Sequence, residues 1–363
     1  MAIVRLVVVG GGVAGLTAAW HAVQQGAAVT VVESATRLGG QVHTERVDGY
    51  VLEHGAEGFI SRSEAIPALC RSLGLEDDLL SQETHRSLAL EDGGLEELPD
   101  GAAGRHLGIQ ASNADWGHGL RTVRGGMGRL IDALEAALGS SVITTGMAVD
   151  RLAPRTPSGI MVSMADGATL EADAVILAIP GEAIAGVLEP AMPRVASRFR
   201  ALSTLSSLSV TFVMRCDDVR HPLDASGFIR ADCRGPGLRA CTFSSSKFVD
   251  RAPEGWCVLR TFYRPEPGSL AQTDEYWSKR CLADLTPVLG ITGEPHLSRV
   301  SRWPAGIPRY AADHDKQVDE IRREVLSLGR LEVAGAAVAR SGLDGAVRSG
   351  ADSVRRLLVR TLA

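Results

Sequence analysis

The sequence predicts an α/β protein, a Rossmann-like nucleotide-binding unit interleaved with an α+β unit built on a mixed sheet. Three observations carry that reading. The chain opens with a β-branched run that meets glycines in GxGxxG spacing, "IVRLVVVGGGVAGL". Two later stretches, "EADAVILAIP" and "RLEVAGAAVARSGLDG", again read as strands running into turns. The middle of the chain, "GLRACTFSSSKFVDRAPEGWCVLRTFY", reads as a hairpin from a mixed sheet, with its turn at Pro253 to Gly255. At 363 residues the chain can bury one large or two ordinary cores, so two interleaved domains are expected.

The elements follow in order. Ile3 to Val9 is a β-branched run, as a parallel strand buried on both faces should be. Gly10, Gly12 and Gly15 come next, with Val13 and Ala14 between them, and then an Ala-rich helical stretch to about Gln25. The first glycine makes the tight turn and the second lets backbone approach a pyrophosphate. The third lets helix and strand pack, and the helix N-terminus faces the phosphates. Ala28 to Val32 forms a second strand that ends at Glu33, placed to accept hydrogen bonds from a ribose diol. "SVITTGMAVDRLAPRTPSGIMVSMADGATLEADAVILAIP" alternates as a small β-meander and closes on a buried strand, Ala174 to Ile179, before Pro180. Near the C-terminus come a strand, Gly335, a loop, and a helix beginning around Gly342.

Composition excludes several classes. Hydrophobic residues are 45% and charged residues 22%, an ordinary globular balance. A net charge of -5 exerts no pull toward nucleic acid or an anionic membrane. The six cysteines contain no CxxC pair, which favours buried thiols in a reducing cytoplasm over a disulfide framework or a zinc site. "IVRLVVV" is too short for a membrane span and lacks a cleavage pattern, so the chain reads as soluble and cytoplasmic.

Directly after Glu33 comes "SATRLGGQVHTERVDGYVLEHGAEGF". Ser34, Arg37, the pair Gly39–Gly40, and then Gly55, Ala56 and Glu57 resemble the two-dinucleotide-binding-domain flavoproteins of the amine oxidase and protoporphyrinogen oxidase superfamily. The resemblance implies FAD. The second glycine pair continues the phosphate and ribityl contact, and Gly55 and Ala56 bring backbone to the flavin ring. Glu57 either touches flavin or substrate, caps a helix, or lies on the surface. Val149 lies where backbone meets adenine, and Gly335, Gly342 and Leu343 belong to the last FAD segment, whose helix dipole favours electron density on reduced flavin. The family writes Gly-Asn or Gly-Glu where this chain has Gly335-Ala336, so one polar ribityl contact is missing. No cysteine lies in that segment, which implies noncovalent FAD.

The central hairpin and "SRWPAGIPRYAADHDKQVDEIR" resemble the protoporphyrinogen oxidase branch, with Trp303 and Pro304 beside the flavin. Amine oxidases generally carry a lysine on the strand written here "LSSLSVTFVMR", which has only Arg215 at its far end. The resemblance implies a FAD-binding domain of residues 1–60, 122–180 and 325–363, and a substrate domain of residues 61–98 and 181–324. It makes Arg86, before a short strand pair, the cation for a porphyrinogen propionate, since a guanidinium offers a carboxylate two parallel donors. A solvated arginine at a strand edge is the plain alternative. Arg62 is a second cation on the same side. His106 and His118 have no metal-ligand spacing, and no metal is expected.

Residues 99–121 form a short loop where the family inserts a helical subdomain that covers the flavin's substrate face and often docks on membranes. Its loss removes the main reason to expect membrane contact. A second copy or a partner protein then supplies the missing wall, or the substrate differs. The implied reaction oxidises protoporphyrinogen IX or coproporphyrinogen III by hydride transfer to the flavin, with O2 as acceptor, as in haem biosynthesis. Two other readings stay open: a compact FAD-dependent oxidase or desaturase of a specialised metabolite, and a non-catalytic flavin-binding subunit.

Overall fold

The computed structural model describes residues 3–92, 94–99, 102–103, 119–155, 158–230, 235–340 and 342–359. Most of the short loop expected at 99–121, with His106 and His118, lies outside them.

The N-terminal strand, Arg5–Val9, sits at the centre of a five-stranded parallel sheet. Ala28–Val32 and then Ile143–Thr144 lie on one side; Ala174–Leu177 and Leu331–Val333 lie on the other. Four of the five strands are therefore those the sequence predicts. The strand expected to reach Ile179 ends at Leu177, and Pro180 opens the helix Gly181–Leu188. Both faces of the sheet are covered, which is why residues 6–9 and Ala174–Leu177 are apolar without interruption. Leu6 and Val8 face the helices Val13–Gln24, Gly128–Leu138 and Gly342–Val359. Val7 and Val9 face the meander Val149–Pro154, Ile160–Met164 and Thr169–Ala172, which is antiparallel as expected.

That second core also takes in Gly181–Leu188, Pro193–Ala201 and His314–Val325. These three helices, which the sequence reading places in the substrate domain, bury their apolar stripes in this core. Ala65–Ser72 likewise packs on the first core through Ile66, Leu69 and Cys70.

The second unit is a seven-stranded mixed sheet. Its spatial order is Leu297–Pro308, Thr204–Arg215, Trp256–Arg264, Gly237–Phe243, Gly227–Ile229, Ser87–Glu91 and Gly94–Leu98. Every pairing is antiparallel except Gly227–Ile229 with Ser87–Glu91. Residues alternate across it. Leu208, Val210, Phe212 and Met214 pack with Trp277, Cys281, Leu285 and Leu289 of the helix Asp274–Leu289. By strand alternation, Ser207, Ser209, Thr211 and Val213 point the other way. There Val213 and Val258 meet Tyr50 and Leu52 of the hairpin Thr44–Val47/Tyr50–Glu53. The strands Gly237–Phe243 and Trp256–Arg264 pair as predicted, yet more than a Pro–Gly turn joins them. A single helical turn, Ser244–Lys247, precedes that turn, because Ser244 and Lys247 are drawn inward to an acidic partner described below.

Candidate functional site

The glycine turn has the shape that the spacing requires. Gly10 has φ +108°, and a Cβ on it would fall 2.5 Å from the Ala178 carbonyl oxygen. A Cβ on Gly15 would lie 1.9 Å from the Gly10 carbonyl oxygen, so helix and strand touch there. At Gly12 a Cβ would meet nothing nearer than the Gly40 Cα, 4.0 Å away. That backbone is open to a ligand, at the N-terminus of a twelve-residue helix whose first residues are Val13 and Ala14. Glu33 closes the rim: its Oε2 accepts from the Gly11 N–H at 2.6 Å and its Oε1 from the Ala35 N–H at 2.7 Å. The exposed Ser34 hydroxyl also donates to Glu33. Val149 lies close by, since Met147 N–H donates to the Glu33 carbonyl two residues earlier.

The second glycine pair docks on the first. Gly39 N–H donates to the Gly11 carbonyl at 2.8 Å, and Gly12 and Gly39 form a parallel bridge. Arg37 holds this turn by donating to the Leu38 and Gly40 carbonyls at 3.0 and 2.8 Å. Gly335, with φ +94°, closes from the far side: its nearest side-chain neighbour is the Ala14 Cβ, and its N–H donates to Ser349. Ala336 accepts a hydrogen bond from the Tyr310 hydroxyl at 3.3 Å. Gly342, φ +58°, is exposed at the start of the last helix, and Leu343 is half-buried against the first core.

Gly55, Ala56 and Trp303 form one wall. A Cβ on Gly55 would strike the Gln41 carbonyl oxygen at 1.7 Å and would sit 3.3 Å from the Trp303 Cζ2. Ala56 N–H donates to that same Gln41 carbonyl. The Trp303 indole donates to the His54 carbonyl at 2.9 Å, so it is fixed against Gly55 while Pro304 stays exposed.

Beneath that wall lies a buried set of charges. Glu57 receives Ser244 Oγ at 2.7 Å on one oxygen and Lys247 Nζ at 2.9 Å on the other. Burial alone would raise its pKa, but Lys247 and Arg260 outweigh that and hold it at about 2. Glu57 is therefore neither a cap nor a surface residue. Glu53 accepts from Thr44, the Met127 N–H and Arg251; burial pushes its carboxyl up, against the pull of Arg251. Arg260 donates to the His54 carbonyl at 2.9 Å and to Ser209 at 3.3 Å. The His54 ring stands between Ser301 and Glu45, and Glu45 takes a forked ion pair from Arg299. His43 stacks on His54 at 4.3 Å, and burial next to Arg37 pushes its pKa down to about 4.

The two cations expected to meet substrate lie outside this centre. Arg86 does precede the hairpin Ser87–Glu91/Gly94–Leu98, and its guanidinium pairs with Glu97 at 2.9 Å and Asp224 at 2.7 Å. Arg62 is exposed in the turn after Phe59–Ile60. Sequence reasoning missed Lys247, Arg251 and Arg260. Ser207, Ser209 and Thr211 alternate with apolar residues on the strand beside Arg260 and so mark one polar face, but nothing local marks Lys247 or Arg251.

The residues present fit a dinucleotide with an attached ring. Open backbone at Gly12 and Gly335 flanks one helix N-terminus, an acid stands at the strand end, and Gly55 and Trp303 continue the groove. Fold and site together define a flavin-dependent oxidoreductase. The model of the flavin containing amine oxidoreductase family matches residues 91–358, and that of an NAD(P)-binding Rossmann-like domain matches residues 8–73. The chain belongs to the flavin containing amine oxidoreductase family.

It is 26% identical to the coproporphyrinogen III oxidase of Propionibacterium freudenreichii subsp. freudenreichii over 439 positions, covering 85% of this chain and 82% of that one. With the enzyme of that name from Staphylococcus aureus it shares 23% over 452 positions, covering 94% and 96%. Both alignments are longer than the 363 residues of this chain, so these relatives carry residues that it lacks. Among solved structures, a "putative protoporphyrinogen oxidase" from Exiguobacterium sp. 255-15 superposes with a TM-score of 0.85 at 24% identity, covering 99% of this chain and 100% of that one. Among the described residues no helix is long and apolar enough to cross a membrane.

Proposed function

We propose that the protein is a cytoplasmic oxidase with noncovalently held FAD that oxidises a porphyrinogen, coproporphyrinogen III or protoporphyrinogen IX, with O2 as acceptor. The observation that carries this reading is the match, over most of both chains, to relatives named coproporphyrinogen III oxidase. When bound, FAD supplies a two-electron acceptor that is reoxidised by O2.

The chain's own residues do the holding. Gly10, Gly12, Val13, Ala14 and Gly15 seat the pyrophosphate, Glu33 the ribose diol, and Gly39–Gly40 and Gly335 the ribityl chain. Gly55, Ala56 and Trp303 exclude water from the ring. We assign Arg86 and Arg62 to substrate carboxylates. The present partners of Arg86 are exposed, so its ion pairs there are weak and a propionate can displace them. We assign no side-chain base among the described residues beside Gly55, Ala56 and Trp303, and none is required for hydride removal.

The test is direct. The FAD-loaded protein is mixed anaerobically with each porphyrinogen while flavin absorbance is followed. Bleaching, with porphyrin fluorescence once air is admitted, is the expected result. Flavin that stays oxidised with both porphyrinogens would sink the proposal, and a smaller substrate or a missing partner subunit would take its place.

A further inference from the structure

The segment from Glu53 to Glu57, which brings Gly55 and Ala56 to the groove, is backed by five ionisable side chains. Glu53, Arg251 and Arg260 are at most 4% exposed as residues, and the paired side chains of Lys247 and Glu57 are 9% exposed. The count is unbalanced: three cations face two carboxylates. Both carboxylates are fully engaged, Glu57 by Ser244 and Lys247, and Glu53 by Thr44, Met127 N–H and Arg251. Arg260 is left with Nε and Nη1 buried without a hydrogen-bond partner, its guanidinium lying 4.7 Å from the centre of the Phe262 ring.

Among the described residues, no adjoining group cancels the excess. Glu45 and Arg299 neutralise each other, and burial pushes both His54 and His43 toward the neutral form. Any proton taken up by Glu53 enlarges the positive balance. An uncompensated charge in the interior is destabilising, and a fold that only had to clamp this segment could do so with neutral groups.

We infer that the Lys247–Arg251–Arg260 cluster is an electrostatic device that favours the reduced, negatively charged form of a flavin held against Gly55 and Ala56. One net charge acting through protein from about 10 Å shifts the balance of reduced to oxidised flavin by roughly tenfold. The inference rests on where the flavin lies and is independent of which substrate reduces it.

The experiment equilibrates FAD-loaded protein with a reference dye under enzymatic reduction, without any porphyrinogen, and reads the reduction potential. Lys247→Met removes one positive charge and is expected to lower the potential; Glu57→Gln removes one negative charge and should raise it. The double variant Glu57→Gln/Lys247→Met keeps the net charge and should return to the wild-type value. Arg260→Lys should stay close to wild type, and Arg260→Met should fall with Lys247→Met. Shifts of one sign in both single variants, or no shift while FAD remains bound, would overturn the inference. So would loss of FAD from the charge-conserving double variant, since the cluster would then be a structural clamp alone. Where Lys247→Met does not fold, Glu57→Gln against the double variant still decides the sign.

Discussion

A methyl group placed at Gly15 would enter the Gly10 carbonyl, whereas the same group at Gly12 would only touch the Gly40 Cα at an ordinary 4.0 Å. The two glycines of one motif therefore fail differently. Gly15→Ala should lose stability even without cofactor. Gly12→Ala should leave apoprotein stability within about 0.5 kcal/mol of wild type and weaken FAD by roughly tenfold or more. Thermal unfolding of the apoproteins and a flavin fluorescence titration separate the two outcomes. Titration at the residue scale has a definite sign. His43 ionises near 6.5 when unfolded but only near about 4 when folded, so the unfolded state binds more protons across that window. Its contribution is complete above 6.5 and is lost as pH falls toward 4. Glu57 adds a second loss, beginning near 4.5 and complete below about 2. His43→Gln should flatten urea-derived stability between pH 6.5 and 4; an unchanged slope would show that His43 is not the group responsible.

Elements were legible to different degrees. Arg5–Val9, Val13–Gln24, Ala28–Val32 and the meander follow from local pattern alone, because each pairs with or packs on a near neighbour or carries its own turn chemistry. The turn Ser244–Lys247 was not legible: three serines and a lysine read as part of the hairpin until Glu57, 190 residues from Lys247, is beside them. The same holds for the helix Ala65–Ser72, whose N-terminus is capped from another element. The buried Asp344 carboxylate accepts from the Ala65 N–H at 3.0 Å and the Ile66 N–H at 3.3 Å. Asp344→Ala should cost about 1–2 kcal/mol in urea unfolding. A loss under a few tenths would mean that the cap is not what ties the last helix to this one. By contrast, Thr273 caps its own helix through the Tyr276 N–H, a signal readable within four residues.

Across the whole molecule, the nucleotide core and the mixed sheet are joined by charged side chains at the hairpin and at Glu57, with a small apolar contact through Tyr50, Leu52, Val213 and Val258. With FAD held as proposed, by the first unit with its ring toward the second, binding should stabilise both. Free FAD at a hundred times its Kd should raise unfolding free energy by about 2.7 kcal/mol, with one cooperative transition. Two separated transitions, only one of them moved by FAD, would refute that coupling. The sequence by itself determined the dinucleotide unit, its glycine turns and the family resemblance. Those depend on residues a few positions apart, whose steric needs are local. Only the tertiary structure decided that Arg86 pairs with Glu97 and Asp224, and that Lys247, Arg251 and Arg260 gather behind Gly55. An arginine reads the same in sequence whether water or a buried carboxylate neutralises it. The difference lies in desolvation, which exists only once distant strands have closed over the charge.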